Sequence, residues 1–116
     1  MSKVKELTKK EFIEKIFDYE RESNLNYGGD PVIIDFYADW CGPCKNFAPI
    51  FDQASEENEE ITFYKVNIEN EPDLASIFGV RSIPTTVYLR KGKEPAQKTG
   101  LLSQEKLAEA IKEAFS

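Results

Sequence analysis

The 116-residue sequence predicts an α/β fold, with a central mixed five-stranded sheet and helices on both of its faces. Three observations carry this expectation. Segments with apolar residues at helical intervals alternate along the chain with short apolar runs of strand length. One such run, "PVIIDFYA" (31–38), is apolar almost throughout, as a strand buried on both faces requires. Strand, helix and strand in succession over residues 31–68 make a parallel pair joined by a crossover.

A short strand at "VKEL" (4–7) opens the chain. Thr8 and Glu11 stand at capping-box spacing, and Phe12, Ile13, Ile16 and Phe17 recur at helical intervals, predicting a helix from about Lys9 to about Glu20. "SNLNYGGD" (23–30) reads as a loop. After the strand at 31–38, Phe47, Ile50, Phe51 and Ala54 form the apolar stripe of a helix from Cys41 to about Asn58, followed by a second buried strand at "ITFYKVNI" (61–68). A short helix around "PDLASIF" (72–78), a strand at "TTVYL" (85–89), a turn at "KGKE" (91–94) and a short strand near "AQKT" (96–99) come next. Ser103 opens a final helix whose buried side is Leu107, Ala110, Ile111 and Ala114. No linker, repeat or composition break interrupts this order, so residues 1–116 read as one domain.

A chain of this length buries about two thirds of its unfolded surface and needs no covalent staple for its core. Hydrophobic content of 41% and charged content of 31% are ordinary globular usage. The formal charge is -6, with lysines and glutamates intermixed, which argues against a nucleic-acid partner. No apolar run approaches the roughly 18 residues of a membrane span, and "MSKVKELTKKEF" lacks the apolar stretch of a secretion signal. The expectation is a cytoplasmic protein with no membrane partner, in a compartment where thiols are kept reduced.

Both cysteines lie in "WCGPCK" (40–45), beyond the carboxyl end of the first buried strand, where α/β sheets tend to place their chemistry. Three uses compete. Half of a zinc site calls for further sulfur or imidazole ligands, and the sequence has no third cysteine and no histidine. A structural disulfide closing four residues contributes only about 2 kcal/mol, against about 3 kcal/mol for a fifteen-residue loop, and the compartment opposes it. A bond that forms and breaks during turnover is favoured by the local physics. Cys41 stands at the start of a helix, where unpaired N–H groups and the positive end of the dipole stabilise a thiolate. Cys44, three residues on, shares its face and is within bonding reach as the resolving thiol. Pro43 costs the first turn no hydrogen bond and stiffens the loop, Gly42 leaves room beside the sulfur, and Pro49 bends the helix further along. Two inert thiols are the remaining alternative.

Asp35 interrupts the apolar run and shares a strand face with Ile33 and Tyr37. Buried and unpaired, it would resist ionising and suit proton exchange with a nearby thiol; at a strand end that reaches water, it is an ordinary carboxylate. Lys65 interrupts the neighbouring strand, and either faces Asp35 or lays its stem across the surface. With no histidine in the chain, proton traffic at the sulfurs falls to carboxylates and lysines.

These residues resemble the thioredoxin family. "DFYADWCGPCK" with Pro49 downstream, "KVNIE", "GVRSIPT" and "TGLLS" are similar to that family's motifs in order and spacing, over nearly the whole chain. The resemblance implies the thioredoxin fold and a protein-disulfide reductase. Cys41 attacks the disulfide of a target protein to form a mixed disulfide, which Cys44 resolves. It further implies Asp35 as a buried acid serving Cys44, Lys65 as its ionic neighbour, and Pro84 as a cis-proline beside the cysteines. Backbone near Ile83 then offers an edge on which an extended substrate segment pairs. Trp40, Gly42, Pro43, Ile83, Pro84 and Gly100 would form a mostly apolar substrate-binding surface, with Trp40 as a plain packing aromatic the alternative. No metal and no cofactor beyond the redox-active disulfide are implied. Electrons would come from NADPH through a flavin-containing thioredoxin reductase, the substrates would be disulfide-containing proteins, and the protein would be a monomer. Several positions depart from the commonest pattern: Tyr37 for tryptophan, Ser82 for glycine, Thr99 for an aliphatic residue, and a longer first helix and loop through "ERESNLNYGGD" (20–30). These leave partner preference open. An oxidase or isomerase and a non-catalytic binding module on the same fold are the competing functions.

Overall fold

The computed structural model describes residues 2–22 and 27–116. Among them, strands β1 (Lys5–Glu6), β2 (Val32–Tyr37), β3 (Thr62–Asn67), β4 (Thr85–Leu89) and β5 (Ala96–Thr99) form one sheet in the order β1-β3-β2-β4-β5. The β1–β3 and β3–β2 pairs are parallel, and the β2–β4 and β4–β5 pairs antiparallel. Four helices accompany the sheet: α1 (Lys9–Lys15), α2 (Gly42–Glu57), α3 (Pro72–Ile77) and α4 (Gln104–Phe115).

Alternation along β2 divides its side chains between two cores. Val32, Ile34 and Phe36 join Phe12, Leu74 and Phe78 on the face covered by α1 and α3, whereas Ile33 joins Phe47, Phe51, Leu107 and Ile111 under α2 and α4. Aromatic edges lock both layers: Phe12 meets Phe78 at 5.7 Å between ring centroids, and Phe51 meets Phe63 at 5.1 Å. Covering on both sides is why β2 is apolar almost end to end.

The Thr8 capping box forms at the start of α1: the Glu11 N–H donates to the Thr8 side chain, and the Thr8 N–H to the Glu11 carboxylate. The helix ends at Lys15, five residues short of the boundary that apolar spacing predicts. Two local bonds stop it. The Phe17 N–H reaches back to the Phe12 carbonyl, and the Asp18 side chain accepts the Glu20 N–H, a turn that competes with helix. Phe17 and Tyr19 still pack inward, Tyr19 against the Phe12 ring, so the apolar pattern continues through a turn. β1 is likewise confined to Lys5–Glu6 of the expected 4–7. The loop expected at 23–30 lies partly outside the described residues, over 23–26. At the other end of the chain, the Ser103 side chain accepts the Lys106 N–H at 3.1 Å and α4 buries Leu107, Ala110, Ile111 and Ala114, as its spacing predicts.

Candidate active site

β2 ends at Tyr37 and α2 begins at Gly42, so the intervening residues carry the chain from the end of the sheet into the helix. Cys41 is the N-cap, with an extended backbone (φ -86°, ψ 111°) and Pro43 in the first turn behind it. Its Sγ accepts the Cys44 N–H at 3.2 Å. The two sulfurs are joined, with the Cα atoms 5.2 Å apart. Once the bond is reduced, a negative charge on the Cys41 sulfur faces the unpaired N–H groups and positive end of a 16-residue helix.

The sulfurs differ in what surrounds them. Cys44 belongs to the buried stripe of α2 with Phe47 and Phe51. Cys41 lines an open groove of about 390 Å³, together with Trp40, Gly42, Pro43, Ile68, Val80, Arg81, Ser82 and Ile83. Cys41 is itself only 5% exposed, because Tyr37, Ala38, Ile68 and Ile83 pack around the pair. Trp40 is 66% exposed, so it stands at the rim of the groove instead of packing in a core.

Opposite the sulfurs, the Ile83–Pro84 peptide is cis, and the Ile83 carbonyl oxygen lies 3.9 Å from the Cys41 Sγ. Pro84 is buried behind it. Gly100 meets the cis-proline directly: its N–H donates to the Pro84 carbonyl at 2.7 Å from a backbone at φ +100°, a conformation glycine adopts without cost.

Asp35 is 4% exposed, and its Oδ1 has no hydrogen-bond partner. Burial pushes its pKa up to about 8, with the Lys65 ammonium pulling the other way and the Asp52 charge adding to the push. An aspartate reaching water at a strand end is therefore not what the fold makes. Asp35 sits on the β2 face that carries Ile33, the face covered by α2 and its Cys44 stripe. Lys65 is its register partner on β3. The ammonium, however, is turned toward the sheet edge, 4.0 Å from the Glu6 carboxylate and 5.6 Å from the centre of the Tyr37 ring, on a side chain about half exposed.

The groove also contains residues that the sequence reading did not single out. Ile68 directly follows β3, at the carboxyl end of a parallel strand, where the general placement of α/β sites points. Val80 and Arg81 reach the groove from the segment preceding Pro84. Among the described residues, no three His, Cys, Asp or Glu side chains cluster as metal ligands, and no helix is long and apolar enough to cross a membrane.

Two sulfurs linked across a helix N-terminus beyond the ends of a mixed sheet, one facing a groove and one buried, are the working parts of a thiol–disulfide oxidoreductase. The thioredoxin family model matches residues 3–113. The chain is 41% identical to the thioredoxin of Borreliella burgdorferi over 111 residues, covering 94% of this chain and 95% of that one. It is 41% identical to the thioredoxin of Rickettsia typhi over 86 residues, covering 73% and 82%. Its structure is similar to the crystal structure of Malassezia sympodialis thioredoxin (Mala s 13), with a TM-score of 0.78, 30% identity, and coverage of 98% and 92%. The chain belongs to the thioredoxin family and is a protein-disulfide oxidoreductase.

Proposed function

We propose that the protein reduces disulfides of cytoplasmic target proteins, acting as a single-domain monomer with Cys41 as the attacking sulfur and Cys44 as the resolving one. The observation that carries this reading is the asymmetry of the pair: Cys41 combines the helix N-cap with the groove, and Cys44 lies in the buried stripe. The Cys41 thiolate attacks one sulfur of the target disulfide. That bond breaks, and the departing target sulfur leaves as a thiolate and takes up a proton. Cys44 then gives up its proton and attacks the Cys41 sulfur, which expels the second target thiolate and restores the Cys41–Cys44 disulfide. Asp35 takes that proton in its ionised form, the minority species at neutral pH for a carboxyl whose pKa is about 8, and returns it to solvent afterwards. A pKa so close to that of a thiol keeps the exchange nearly balanced, and the unpartnered Oδ1 on the α2 side of the sheet is available for the task.

Trp40, Pro43 and Ile83 supply apolar contact for the target, and backbone around Ile83 and the cis-Pro84 offers an edge to an extended segment. Lys65 moderates the charge on Asp35. The protein works without a cofactor of its own, and thioredoxin reductase returns it to the dithiol with electrons from NADPH through a flavin. Insulin reduction by dithiothreitol tests the reading. The protein should accelerate precipitation of the freed insulin chain, and Cys41→Ser should abolish the acceleration. Absence of acceleration, or its persistence in Cys41→Ser, would overturn the reading.

A further inference from the structure

A row of side chains crosses the sheet at the level of Asp35. Strand register aligns Glu6 of β1 with Lys65 of β3, Lys65 with Asp35 of β2, and Asp35 with Thr86 of β4. Lys65 therefore stands between two carboxylates, one on each flanking strand at a spacing of about 4.8 Å. It turns to Glu6, at 4.0 Å. The same carboxylate accepts the Tyr37 hydroxyl on both oxygens, at 2.9 and 3.0 Å. Tyr37 lies two residues beyond Asp35 on the same face, and its ring packs against the cluster of Ala38, Cys41 and Cys44. One carboxylate at the sheet edge thus grips both the cation beside the buried acid and the ring beside the sulfurs.

We propose that Glu6 tunes the site from the sheet edge, holding the Lys65 ammonium away from Asp35 and tying the Tyr37 ring to β1. The proposal rests on the assignment of Asp35 as the acid. Glu6 wins the lysine because its side chain is half exposed, so the pair forms without desolvating either partner fully, whereas the Asp35 carboxyl is enclosed. Removing the Glu6 charge acts twice in one direction. It frees a cation to approach Asp35, and it deletes a negative charge from the row; both favour the ionised form of Asp35. The other groups around Asp35 stay in place: Asp52 on α2, the helix that also carries Cys44, and Thr86 and Tyr88 on β4, whose hydroxyls are 2.7 Å apart. α4 contributes Leu107, Ala110, Ile111 and Ala114 to that layer, none of them titratable.

Glu6→Gln is the decisive variant, because the amide oxygen still accepts the Tyr37 hydroxyl while the charge is gone. The Asp35 carboxyl is followed by carbon-detected NMR across pH in the oxidised protein, beside the pH profile of insulin reduction. A resolved Asp35 signal itself reports that the variant is folded. The Asp35 midpoint should fall by about one unit, the size an opposite charge at close range produces, and the rate profile should move with it. In a Lys65→Met background the same change should move the midpoint by much less. An unmoved midpoint in Glu6→Gln, or an equal shift without Lys65, overturns the proposal. If the midpoint falls and the rate profile does not, the coupling stands and the assignment of Asp35 as the acid falls.

Discussion

Asp35→Asn tests the buried acid through stability, independently of any enzymatic assay. An unfolded aspartate titrates near 3.9, and burial in the folded protein raises Asp35 to about 8. Below about pH 4 both states hold the proton and the stability is complete. As pH rises from there, the unfolded chain loses its proton and the folded one keeps it, so stability falls by up to about 1.4 kcal/mol per pH unit until Asp35 ionises near 8. Three units, from pH 4 to pH 7, amount to about 4 kcal/mol. Asn cannot ionise and loses none of this. Guanidinium chloride unfolding of oxidised protein reads the effect. With a slope of about 4 kcal/mol per molar, the midpoint of the unmodified protein should fall by about 1 M relative to Asp35→Asn between pH 4 and pH 7. Parallel midpoints for the two proteins across that window would refute the raised pKa and the proton role built on it.

Cys44→Ser should stall the reaction at the mixed disulfide, so targets captured on Cys41 should be released by dithiothreitol in a pull-down; capture that resists the thiol would instead mark a binding module. Trp40→Ala should raise KM for a protein disulfide severalfold while changing stability by less than about 0.5 kcal/mol, because the ring is mostly in water. Phe51→Ala removes a ring packed against Phe47 and Phe63 and should cost about 3–5 kcal/mol in denaturant unfolding. A measured reduction potential should lie near the thioredoxin value of about -270 mV; one near -180 mV would favour an isomerase.

Most elements were legible because their signals are local. Ser103 and Thr8 mark helix starts, Thr85–Leu89 has the boundaries its β-rich run predicts, and the strand Ala96–Thr99 falls where a short partner after the turn at 91–94 is expected. Apolar spacing overextends α1 because Phe17 continues a helical period after the backbone has left the helix. The turn is revealed by backbone and side-chain bonds, from the Phe17 N–H to the Phe12 carbonyl and from the Glu20 N–H to the Asp18 side chain. The cysteine pair was legible from spacing alone. For Asp35, alternation gives the face of the strand but not how much water reaches it, which depends on α2 lying across that face. The direction taken by Lys65 depends on Glu6, a residue from another strand whose register appears only when the sheet order is known. The cis geometry of Pro84 has no local signal, since only about 5–6% of X-Pro bonds adopt it, and it entered through the family resemblance. Nothing in "TGLLS" shows that the Gly100 N–H meets the Pro84 carbonyl, a contact between segments distant in the chain.

The most direct test concerns which sulfur meets the outside world. Reduced protein is treated with iodoacetamide at pH 7, and the labelled cysteine is mapped by mass spectrometry over time. Cys41 should take the label first, faster than free cysteine does at the same pH, with Cys44 spared while the fold persists. Equal labelling, labelling of Cys44 first, or a Cys41 rate no greater than that of free cysteine would contradict the division of roles between the two sulfurs.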